Sequence, residues 1–119
     1  MAAAFAGQTI TAKQAEGFKT ELLLSCAREY KKLGWVMQLH YNCLRNPNSK
    51  MFKVLGADTG FDCIGPAPSA KELAQLLDSL ESENNLPKTI IYSLDPGDNA
   101  FIDTLIGSFQ GVEAKGKIQ

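Results

Sequence analysis

The sequence is short of the residues that most often betray a special chemistry. It has one histidine, one tryptophan and three cysteines in 119 residues. The cysteines, Cys26, Cys43 and Cys63, form no CxxC pair. An odd number without a secretory signal argues for free thiols rather than a disulfide framework. Cys43 and Cys63 are soft donors, but their spacing fits no common zinc module, so zinc is the minor reading. There is no basic excess either: the formal net charge is -1. That argues against nucleic acid as a partner. No apolar run is long enough for a bilayer span, so no membrane contact is expected. The opening MAAAFAGQT has neither a charged n-region nor a sustained apolar stretch. A cytoplasmic protein is the expectation.

Familiar catalytic signatures are missing as well. There is no Walker A, no HExxH and no Ser-His-Asp order. Gly56, Gly60 and Gly65 are not spaced as a phosphate-binding fingerprint, and no glycosidase carboxylate pair can be picked out. What remains has ordinary soluble composition, 45% apolar and 21% charged. The length suits one modest domain, and residues 1–10 read as irregular.

Periodicity then gives an order of elements. Thr11 to Leu33 reads as a helix, with Thr11 and Gln14 as a capping box and Ala15, Phe18, Leu22, Cys26 and Tyr30 as its apolar stripe. Lys31, Lys32 and Gly34 end it. Trp35 to Tyr41 reads as a buried strand. Trp35, Met37, Leu39 and Tyr41 share one face; Val36, Gln38 and His40 share the other. Asn42 to Pro68 reads as a long loop of the kind that lines active sites, with a helical turn over Lys50 to Leu55. Ser69 with Glu72 caps a second helix carrying Leu73, Leu76, Leu77 and Leu80, which frays near Glu83 to Asn85. Thr89 to Leu94 reads as a second buried strand. Asp95 as N-cap, Pro96 at N1 and Asp98 beside the dipole open a third helix. Its apolar face is Ile102, Leu105, Ile106 and Phe109, and Gly107 or Gly111 ends it. Gly116 to Gln119 reads as the approach to another strand.

Alternating helices and strands imply an α/β protein with a parallel sheet. Two strands are too few to complete such a sheet, so the chain reads as one piece of a larger α/β protein. In parallel folds, ligands bind beyond the carboxyl ends of the strands. His40 falls there. It can ligate a metal, move a proton near neutral pH, or be a hydrogen-bonded strand-end histidine. Arg45 offers a fixed set of donors to a carboxylate or phosphate; the bland alternative is a solvated loop arginine. Asp58 and Asp62 are explained equally well as turn residues, and Asp98 as a helix N-terminal charge.

The stretches GWVMQLHYNCLRNPNSKMFKVLGADTGFDCIG, LPKTIIYSLDPGDN, LIGSFQG and GKIQ occur in that order. Together they resemble the uronate (glucuronate) isomerase family of the amidohydrolase superfamily. The similarity runs from about Ala6 to Gln119. It implies a partial (β/α)8 TIM barrel: two βα units, a preceding helix and the start of a further strand. These correspond to strands five and six and the approach to strand seven, an internal part of the family's chain. The implied activity is aldose–ketose isomerisation, an intramolecular oxidoreductase reaction. It converts D-glucuronate to D-fructuronate and D-galacturonate to D-tagaturonate. The implied cofactor is a divalent metal, typically zinc. His40 matches the family's strand-five active-site histidine near the metal, and Arg45 the loop arginine that suits the substrate carboxylate. A hexuronate is the implied partner, and a homo-oligomer is left open.

The sequence also departs from the family pattern. Tyr41 and Asn42 are bulkier than the residues usual after that histidine, and Gly97 stands where arginine is common. The family's HxH pair and strand-eight aspartate are not in this sequence, so the isolated chain is expected to be inactive. The competing readings are a non-catalytic α/β interaction module and a hydrolytic amidohydrolase.

Overall fold

Helix α1, Ala12–Leu33, starts where Thr11 Oγ1 accepts from Gln14 N at 3.2 Å, while Gln14 Oε1 accepts from Thr11 N at 2.8 Å. It ends at Gly34, whose φ of 69° is the left-handed conformation that glycine adopts without a Cβ penalty. Trp35 N then donates back to Tyr30 O at 2.8 Å, and the two rings stack. This computed structural model describes residues 6–7, 9–65, 70–112 and 115–119.

The chain continues through β1 (Val36–Tyr41), β2 (Cys43–Leu44), α2 (Ser49–Leu55), β3 (Cys63–Ile64), α3 (Ala70–Glu81) and β4 (Lys88–Ser93). A 3-10 turn, Pro96–Asp98, leads into α4, Asn99–Ser108. Strands β1 and β4 are parallel neighbours, with Met37 opposite Thr89, Leu39 opposite Ile91 and His40 opposite Tyr92. The expected strand approach at the end of the chain is present. Ile118 bridges Thr89 in parallel, and Thr89 N donates to Lys117 O at 2.9 Å. Gln110 pins this segment by accepting from Lys117 N and donating to Ile118 O. Lys117 Nζ also pairs with Glu81.

The alternation seen in the sequence is borne out on one face of the sheet. Met37, Tyr41, Thr89 and Ile91 are buried there with Ala27, Leu73, Leu77, Leu80, Leu86, Ile102 and Ile118. The opposite face, with Val36, Gln38, His40 and Tyr92, is exposed. So these strands are covered on one side rather than fully buried. The apolar stripe of α1 also needs correcting. Phe18 and Leu22 are exposed; of the expected stripe Tyr30 packs on the core, joined by Leu24 and Ala27. The stripe was read over the whole helix, but only its second half lies against the sheet. The second capping box rests on Ser69, which lies outside the described residues.

The expected loop from Asn42 has more structure than its composition suggested. Its helical turn is α2, capped by Asn48, whose side chain accepts from Met51 N at 3.1 Å. Two short strands, β2 and β3, pair antiparallel. Gly65 closes this ribbon against Asn42 O at 3.0 Å. A Cβ at Gly65 would stand 2.8 Å from the Leu44 backbone nitrogen, so only glycine permits this approach.

The radius of gyration is 16.8 Å. A compact chain of this length would have about 13.5 Å. The expansion goes with the open sheet face and the exposed first half of α1.

Candidate active site

The parallel pairing of β1 and β4 brings two strand ends to the same place. His40 is the fifth residue of β1, on the face opposite the core. Its register partner Tyr92 points the same way, as cross-strand neighbours must. Their rings stack with centroids 4.9 Å apart and planes at 28°. Both line an open concavity of about 460 Å³ that also takes in Arg45, Asp62 and Leu94. The structure thus brings His40 and Arg45 to one site and adds Tyr92. TIIYS has no polar–apolar alternation that marks Tyr92; only the register opposite His40 brings it into view.

Just beyond β1 the chain turns at Asn42, with φ of 66°. Asparagine is one of the few side chains that tolerate this left-handed region. Asn42 is 3% exposed. Its Nδ2 donates to Asp98 Oδ2 at 2.8 Å, and more weakly to Ser93 Oγ at 3.4 Å. The bond ties the loop after β1 to the turn after β4. Among the described residues, the buried Asn42 Oδ1 has no hydrogen-bond partner. An unpaired buried acceptor costs about 1–3 kcal/mol, partly offsetting the bond to Asp98. Asp95 takes the expected N-cap role, accepting from Gly97 N at 2.8 Å. Asp98 is therefore more than a helix-dipole charge, since it receives Asn42. Burial raises the Tyr41 phenol pKa, helped by the charges of Asp98 and Glu72.

The arginine is held by two carboxylates. Arg45 Nη1 donates to Asp62 Oδ2 at 2.6 Å and to Asp58 Oδ1 at 3.1 Å. Neither of these pairs uses the Nε–Nη2 edge of the guanidinium. Asp62 also accepts from Asn46 N through its other oxygen, at 2.9 Å. That backbone N–H, with Arg45, holds the Asp62 carboxyl below its usual range. The same neighbour raises Arg45 further, keeping it cationic. Composition had explained Asp58 and Asp62 as turn formers. Asp58 does adopt φ of 58°, but both carboxylates also meet Arg45.

The cysteines do not form a metal site. Cys43 faces Ile64 and Cys63 faces Leu44 across the ribbon, so the two thiols leave it on opposite sides. Among the described residues no group of three or more His, Cys, Asp or Glu is placed to hold a metal. Nor, among them, is any helix long and apolar enough to cross a membrane.

The family model for glucuronate isomerase matches residues 1–119. The chain belongs to the glucuronate isomerase family. It is 55% identical over 114 residues to the uronate isomerase of Lachnoclostridium phytofermentans, covering 96% of this chain and 24% of that protein. Against the uronate isomerase of Caldicellulosiruptor bescii it is 50% identical over 116 residues, covering 98% of this chain and 25% of that one. The crystal structure of uronate isomerase from Thermotoga maritima superposes with a TM-score of 0.78 at 26% identity. That match covers 97% of this chain and 24% of the other. The chain thus spans about a quarter of the length of the isomerases it matches. The family resemblance read from the motifs is borne out over the whole chain.

Two outcomes follow for the site loops of this isomerase segment. Asn42→Ala loses the Asp98 bond and keeps a Cβ at positive φ without the asparagine side chain that tolerates it. Asn42→Gly loses the same bond but relieves the backbone, and should be about 1–2 kcal/mol more stable than Ala. Melting of the full-length protein should therefore place Gly above Ala; a Gly variant below Ala would refute the strain argument. The second outcome concerns pH. A carboxyl whose folded pKa is depressed stabilises the fold above its unfolded value, about 3.9. That contribution is lost as pH falls through the lower folded value. NMR titration of Asp62 should give a midpoint below the usual one, rising in Arg45→Gln but staying depressed by Asn46 N–H. An ordinary midpoint in the unsubstituted protein would contradict the geometry.

Proposed function

We propose that the full-length enzyme carrying this segment is a uronate isomerase that interconverts aldose and ketose hexuronates. The substrates are D-glucuronate and D-galacturonate, and the products D-fructuronate and D-tagaturonate. One observation carries the reading. In a chain of this family, His40 and Arg45 converge beyond the carboxyl ends of two adjacent parallel strands. In the same reading, β1 and β4 are strands five and six of an eight-stranded TIM barrel, and Lys117–Gln119 opens strand seven. The exposed face of the strands becomes the barrel interior, and the core face meets the outer helices. Parallel strand order and one-sided helix cover support this. The enzyme works in the cytoplasm on a soluble sugar acid.

The net reaction moves one hydrogen from C2 to C1 of the sugar and one from O2 to O1, so no external oxidant is needed. His40 is the imidazole at this site that would accept the proton and return it. Stacking on Tyr92 fixes its ring plane. Arg45 offers its Nε–Nη2 edge to the sugar's carboxylate as a bidentate partner. A divalent metal, zinc in this reading, would supply Lewis-acid polarisation when bound. The described residues do not form a site for it, as His40 is at most one ligand of the several required.

The isolated chain should show no turnover of D-glucuronate even with added zinc, and measurable turnover would refute this division of the site. In the full-length enzyme, His40→Ala should lower kcat by about 10²–10⁴-fold. Arg45→Ala should raise KM for the uronate about tenfold or more. Unchanged kinetics in either variant returns that residue to a structural role.

A further inference from the structure

We infer that Asp58 is a displaceable counter-ion for Arg45 that yields to the carboxylate of the substrate, while Asp62 is the fixed residue that positions the guanidinium. The inference rests on the reading of Arg45 as the uronate-binding residue. The two carboxylates meet the same nitrogen, Arg45 Nη1, but they are not equivalent. Asp62 is 23% exposed and makes the shorter contact, 2.6 Å. It is also tied to the backbone through Asn46 N, so it cannot leave without opening the loop. Asp58 is 79% exposed and makes the longer contact, 3.1 Å. Its side chain has one described bond, the one to Arg45.

Charge makes the difference functional. One guanidinium faces two carboxylates, so an incoming anion meets a local excess of negative charge. Adding a third carboxylate to one cation is unfavourable, and the most weakly held one leaves at least cost. An exposed ion pair is weak enough for a substrate carboxylate to replace. Asp58 thus keeps Arg45 paired and extended in the empty site. It also raises the threshold for weakly bound anions. A hexuronate, anchored elsewhere by its hydroxyls, exceeds that threshold more easily than a small carboxylate such as acetate.

The test uses the full-length isomerase with D-glucuronate as substrate and acetate as a competitive probe. Asp58→Asn should lower KM for D-glucuronate roughly two- to five-fold, the range that removal of an exposed ion pair can supply. It should lower the acetate inhibition constant by a similar factor, with kcat moving less than KM. Asp62→Asn should move KM the other way, upward by about tenfold, because Arg45 loses its backbone-anchored partner. Arg45→Ala separates the two levels of the argument. If Arg45→Ala leaves KM unchanged, the reading of Arg45 fails and the inference with it. If Arg45→Ala raises KM but Asp58→Asn leaves KM unchanged or raises it, the inference alone is overturned.

Discussion

The parallel register of β1 and β4 is the constraint on which the site depends. A strand alternates its side chains, so a slip of one residue would send every one to the other face. The register is anchored from the buried side, where Met37, Tyr41, Thr89 and Ile91 meet the helices. Those buried contacts, together with the backbone ladder of the parallel pair, place His40 beside Tyr92. Leu77 and Leu80, fully enclosed on α3, therefore fix the geometry of a histidine on the opposite side of the sheet. Replacing a core residue here would disturb the site without touching it.

Beyond the strand ends, polar residues take over, and backbone geometry comes before chemistry. The non-glycine residues described at positive φ are Asn42, Asn46, Asp58 and Asn84. Asparagine and aspartate are the types whose side chains tolerate that conformation. Three of the four lie in the loop that carries Arg45. The Asn/Asp richness of that loop is thus first a way of turning the chain. Asn42 and Asp58 then use their side chains a second time, on Asp98 and Arg45 respectively. A search for catalytic carboxylates could not separate these two uses, because one residue serves both.

This explains what was legible in the sequence and what was not. Both parallel strands, the three main helices and the final strand approach followed from periodicity and caps, with boundaries within a residue or two except at α4, which starts at Asn99 after a 3-10 turn rather than at Pro96. Local rules govern those features: Thr11 with Gln14, Gly34 and Asp95 each act within a few residues. The β2–β3 ribbon escaped notice because each strand is two residues long and no pattern has room to repeat. The exposed half of α1 escaped because periodicity marks an apolar face but not what covers it. At the site, His40 and Arg45 were legible by type and position. Asp62 was not, because its role is set by a contact across sixteen residues to Asn46 N and by Arg45 beside it.

Asn42 shows how a residue chosen for a turn can also tie two loops together. Here the side chain is buried and finds a carboxylate on the neighbouring strand's turn. The energy balance is close: one charge-assisted bond worth about 1.5–3 kcal/mol stands against an orphaned oxygen costing about 1–3 and a left-handed backbone. Near-cancellation of this kind leaves stability little changed. What it adds is a link, because one hydrogen bond now ties the loop bearing Arg45 to the turn opening α4. The chain's own bonds thus order one wall of the site, with Asn42, Asp62 and the His40–Tyr92 stack each closed within this segment. A wall ordered from within keeps its shape by its own bonds, so the substitutions that disturb it most directly are those at the partners of Asn42, Arg45 and His40.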